Sequence, residues 1–87
     1  MKKSFRARGV VWQLQEGSRE PCYEANIREV VIWVWAKYPF LTHSSLCDTP
    51  ETTTTDIREA AKQAFDAVYK EIKATYKVFE AKIKNDT

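Results

Sequence analysis

The sequence predicts an α+β fold in one small domain: an N-terminal bulged β-strand or hairpin, a middle helix with a third strand as its alternative, and one long C-terminal amphipathic helix. Three observations predict it. Residues 56–84 place apolar side chains at helical spacing, residues 5–15 alternate apolar with polar, and residues 20–38 hold the longest apolar run. At 87 residues the chain has room for a single domain over 1–87.

The strand at 5–15 alternates with one slip. Val10, Trp12 and Leu14 share one parity, Phe5 and Ala7 the other, and Gly9 lies between them. A bulge at Gly9 brings all five apolar residues onto one face, because a one-residue insertion exchanges the two faces of a strand. Glu16-Gly17-Ser18 is a turn signal. If the chain folds back there, Tyr23, Ala25 and Ile27 join the same core side and Arg8 comes near Glu24.

Residues 20–38 admit two readings. Tyr23, Ile27, Val30, Val31, Val34 and Tyr38 form a helical stripe that Pro39 would end, with no Gly, Pro or Asp between Cys22 and Tyr38 to make a turn. Against that, Val30 to Trp35 is wholly β-branched and aromatic, the composition of a buried strand. The helix is preferred for want of a turn signal. It sends Ile32 and Trp33 away from the stripe, toward a second neighbour or a contact surface.

Residues 39–55 read as a long polar loop, and no internal repeat is evident. The last helix, at 56–84, begins with Asp56 as cap and Glu59 completing a capping box. Phe65, Ile72 and Phe79 form one column, Tyr69, Tyr76 and Ile83 the next, and Val68 and Ala61 widen the stripe. Such a helix is roughly 42 Å long, against roughly 30 Å across a compact domain of this size. Its end is expected to overhang and to seek cover.

Composition bounds the function. The net charge is +2, and the residues that are locally basic are Lys2, Lys3, Arg6 and Arg8. No apolar run reaches the ~20 residues that span a bilayer, and Met1 to Gln15 lacks a signal-peptide core, so a cytoplasmic protein with two reduced thiols, Cys22 and Cys47, is expected. His43, Cys47 and Asp48 hold the residue types of a thiol nucleophile but share one loop without an oxyanion feature. The paired Cys-x2-Cys spacing of zinc sites is missing, as is a phosphate-cradling glycine motif. The expectation is therefore a non-enzyme with no catalytic residues, metal or cofactor.

The expected partner is another protein, met through Trp33, Trp35, Tyr76, Phe79 and Ile83, with a homodimer through the C-terminal helix as one form of that contact. Small inhibitors from phage and mobile elements, anti-CRISPR proteins included, are of this size and type. The alternative is a nucleic-acid binder using Lys2, Lys3, Arg6 and Arg8, extended by Lys70, Lys77 and Lys84.

Overall fold

A computed structural model of the chain describes residues 2–17 and 20–85, with side chains through residue 75. Among the described residues it forms five strands followed by one helix. The strands are β1 (Ser4–Ala7), β2 (Val10–Gln15), β3 (Cys22–Ile27), β4 (Val30–Trp35) and β5 (Thr42–Ser44), and the helix is α1 (Ile57–Asn85). They make one antiparallel meander in the order β1-β2-β3-β4-β5. The fold is α+β as expected, but the middle helix is not present.

The first correction concerns Gly9. The slip in parity marks a two-residue hairpin turn, not a bulge in one strand. Ala7 pairs with Val10 and Phe5 with Trp12, while Arg8 and Gly9 take φ of 56° and 77°. Positive φ at both central residues suits the right-handed twist of the flanking strands. A two-residue turn also puts residues of opposite parity side by side on one face. Phe5, Ala7, Val10, Trp12 and Leu14 therefore all contribute to the core, as the bulge also required.

The second correction has the same origin. Residues 22–35 form β3 and β4, paired from Ile27↔Val30 to Cys22↔Trp35. The turn is Arg28-Glu29, with Arg28 at φ 57° although it is not glycine. That conformation costs about 1 kcal/mol, which the six-pair ladder outweighs. The inward residues are Tyr23, Ala25 and Ile27, then Val30, Ile32 and Val34. The change of parity makes Tyr23, Ile27, Val30 and Val34 fall at i, i+4, i+7 and i+11, which imitates a helix. Ile32, expected to point away, has no exposed surface.

The expected loop at 39–55 holds β5, which pairs with β4 through Val34↔Thr42, Trp33↔His43 and Ile32↔Ser44. Beyond it the chain folds over this edge. Ser44 Oγ donates to the Cys47 carbonyl, Thr42 Oγ1 donates to Thr49 Oγ1 at 2.6 Å, and Thr52 Oγ1 donates to the Pro39 carbonyl at 2.8 Å. These hydroxyls tie the segment after β5 back to β5 and to the β4–β5 connection.

The helix caps at Asp56, whose Oδ1 accepts from Arg58 N at 3.0 Å. The reciprocal half of the expected capping box does not form. Asp56 N donates to Thr54 Oγ1, and Glu59 pairs with Lys62 at 3.0 Å. Ala60, Ala61, Ala64, Val68 and Ile72 form the buried stripe, laid on the inner face of the sheet with Trp12, Ile32 and Val34. The small alanines let the helix approach closely. The buried stripe is therefore rotated from the expected columns: Phe65 is half-buried, and Tyr69 stands 42% exposed, stacked on Phe65 at 5.5 Å. Twenty-nine helical residues extend about 43 Å, against about 20 Å for a six-residue strand, and the long axis of the molecule is 51 Å.

Candidate protein-binding face

The helix covers one face of the sheet. On the other, strand alternation and register set a grid of side chains. Gln15, Cys22 and Trp35 form one row, Gln13, Glu24, Trp33 and His43 the next, and Val11, Asn26 and Val31 flank them. Two residues expected to meet a partner, Trp33 and Trp35, lie here, two positions apart on β4 and each half-buried.

Trp33 is held from both sides. Its indole N–H donates to Glu24 Oε1 at 3.0 Å, and its ring stacks on His43 with centroids 5.5 Å apart and planes 16° from parallel. The neighbouring strands that supply these contacts are fixed by the Glu24↔Trp33↔His43 register. A large ring already fixed in the unbound protein loses little side-chain freedom when it is covered.

Trp35 sits beside Cys22 and beside Leu41, whose carbonyl accepts from Trp35 N at 2.8 Å. Below it, Pro21, Trp35, Tyr38, Pro39 and Leu41 line a hollow of about 430 Å³, with Glu20 and Lys37 at its rim. Tyr38 and Leu41 are 64% and 59% exposed, so the apolar surface continues from the sheet onto the β4–β5 connection. Burial raises the Cys22 thiol above its ordinary 9.0, and the Glu24 charge adds to that rise. Two hollows of about 510 and 520 Å³ lie instead along the helix–sheet seam, one between Leu46 and Ile72, the other between Phe5 and Ile57.

The remaining expected sites are scattered. Lys2 and Lys3 are exposed before β1, and Arg6 lies at its rim on the open face, with its carbonyl accepting from Arg58 at 2.9 Å. Arg8 pairs at 2.8 Å with Asp66 of the helix, not with Glu24. Lys70 is exposed on the helix, across the sheet from Arg6, so the two do not form one track. Tyr76, Phe79, Ile83, Lys77 and Lys84 lie outside the residues whose side chains are described.

His43 and Cys47 do not meet as a catalytic pair. His43 stacks on the open face, while the inward-facing Ser44 holds Cys47, which packs on the core. Among the described residues no three His, Cys, Asp or Glu side chains gather closely enough to hold a metal ion. No helix is long and apolar enough to cross a membrane among those residues.

Sequence reasoning missed Glu24, His43, Tyr38 and Leu41 as members of this face. One signal was available. Arg8-Gly9-Val10-Val11 recurs as Arg28-Glu29-Val30-Val31, and both copies are hairpin turns. Reading the second from the first would have placed Trp33 and Trp35 opposite Ile32 and Val34. No protein-family model, curated protein or solved structure matches this chain.

Proposed function

We propose that the protein is a non-enzymatic binding module that occupies the surface of a partner protein through the open face of its sheet. The observation that carries this reading is the fixed, half-buried indole of Trp33, clamped between Glu24 and His43 beside Trp35. Interface energy concentrates in a few well-packed aromatic anchors, Trp foremost. Inhibition by blocking a partner's working surface, the mode of small phage and mobile-element inhibitors, fits a chain of this size.

The test compares the wild-type chain with Trp33→Ala, Trp35→Ala and the double variant in capture from candidate host lysates, followed by native mass measurement. Circular dichroism first establishes that each variant keeps the fold. Complexes retained by the wild type and lost by the double variant support the reading. Equal retention by both sinks it.

A second reading rests on the β1 edge, where Lys2, Lys3 and Arg6 are exposed and Arg58 reaches the Arg6 carbonyl. It predicts nucleic-acid binding that weakens steeply with salt and with Arg6→Glu. Asp66 already occupies Arg8, and the open-face positions of β2 to β5 include no Lys or Arg. Those positions therefore suit a protein better than a phosphate backbone.

A further inference from the structure

The open face has a feature that selects among protein partners. Among its positions on β2 to β5, Glu24 is the one carboxylate, and it stands in the central row between Gln13 and Trp33. One of its oxygens accepts the Trp33 indole N–H at 3.0 Å. An ionised carboxylate has about four acceptor positions, and Trp33 is its one hydrogen-bond donor among the described residues. The negative charge is therefore held at the edge of an indole whose ring stays partly open to solvent.

We infer that the partner presents a cationic side chain, arginine above all, laid on the side of Trp33 away from the stacked His43, with its N–H fork on Glu24. This rests on the protein-binding reading above and adds the chemistry of the occupant. An indole is the best aromatic face for a cation, and a guanidinium stacks on it while keeping its donors in plane. A carboxylate at the ring's edge is where those in-plane donors point, and the pair can be bidentate. The field of Glu24 already reaches Cys22 in the next row. Lysine meets the charge but not the stacking or the fork. An acidic or phosphate-bearing partner meets repulsion at Glu24, with no lysine or arginine on those strands to offset it.

A random peptide-display library selected against the full chain, with the Trp33→Ala/Trp35→Ala variant used to remove background, provides the probes. The expected result is enrichment of peptides with one recurrent arginine. Glu24→Gln should weaken them by roughly tenfold or more, as loss of a hydrogen bond to a charged group implies. Replacing that arginine by citrulline, which keeps the plane and removes the charge, should weaken them as much. Trp33→Phe is a second probe, since it keeps an aromatic face but loses the bond to Glu24. It should lose part of the affinity, whereas Trp33→Ala loses nearly all.

Tryptophan-dependent peptides that carry no recurrent cation, or that bind Glu24→Gln equally well, overturn the inference and leave the protein-binding reading standing. A selection that yields no peptide dependent on Trp33 or Trp35 overturns both. A sedimentation mass of twice the chain's that falls to the monomer in Trp33→Ala overturns the inference in favour of a second copy on this face.

Discussion

The sharpest stability prediction contrasts two adjacent residues, Ile32 and Val31. Ile32 is inward on β4, fully buried, and paired with Ala25 and Ser44. Ile32→Ala removes three carbons at about 0.8 kcal/mol each. A cavity term follows, because Trp12, Val34 and Val68 are themselves fully buried and cannot close the space completely. The total is about 3–4 kcal/mol. A domain of this length has about 4–13 kcal/mol of stability in all, so the variant should melt roughly 12–30 °C lower. Val31 faces the open side and is half-buried. Val31→Ala loses mainly β propensity, at most about 1 kcal/mol. Urea unfolding followed by far-ultraviolet circular dichroism and by tryptophan emission measures both. A middle helix would reverse the order, since its stripe has Val31 inside and Ile32 outside. Equal costs at the two positions, or a larger cost at Val31, would refute the two-strand account.

Gly9→Ala should cost about 1 kcal/mol in the same assay, entirely through its φ of +77°, because an added Cβ meets nothing within 4 Å. An unchanged midpoint would mean that the turn does not need this conformation. Asp56→Ala removes the acceptor for Arg58 N and should cost about 1 kcal/mol, while Asp56→Asn, which keeps an acceptor, should recover most of it. The protein should lose stability in alkali. Burial raises both the Cys22 thiol and the Tyr23 phenol above their ordinary 9.0 and 10.0. Both groups are neutral when protonated, so from pH 9 upward the folded chain binds more protons than the unfolded one, and stability falls as pH rises. Urea midpoints at pH 7.5 and 10 test this, and Cys22→Ser should flatten the decline; a steeper decline in that variant would contradict it.

Local chemistry determined part of this protein without help from the rest of the chain. The cap at Asp56 and the helical periodicity after it placed the start of α1 within one residue. The shared inward face of Phe5, Ala7, Val10 and Trp12 was also legible, because alternation reports sidedness whether the slip at Gly9 is a bulge or a turn. Part of the candidate site was legible for a simpler reason: Trp33 and Trp35 were conspicuous apolar residues without an assigned neighbour. Their clamp was not, since Glu24 and His43 lie nine and ten residues from Trp33 and meet it only through strand pairing.

Apart from the recurrence of Arg8-Gly9-Val10-Val11 at Arg28-Glu29-Val30-Val31, tertiary structure decided the middle of the chain. Tyr23, Ile27, Val30 and Val34 satisfy a helix and a two-residue hairpin equally well, because the turn's change of parity reproduces helical spacing. The positions that separate the two are Ala25 and Ile32, inside for the hairpin and outside for the helix. Both are buried, Ala25 at 1% and Ile32 at 0% exposure. What selects the hairpin is cooperative: β2 and β5 supply ladders on either side of β3 and β4, and α1 covers their inner face. These neighbours make it favourable to hold Arg28 at positive φ without glycine. That gain comes from contacts distant in sequence, so no turn residue had to announce it.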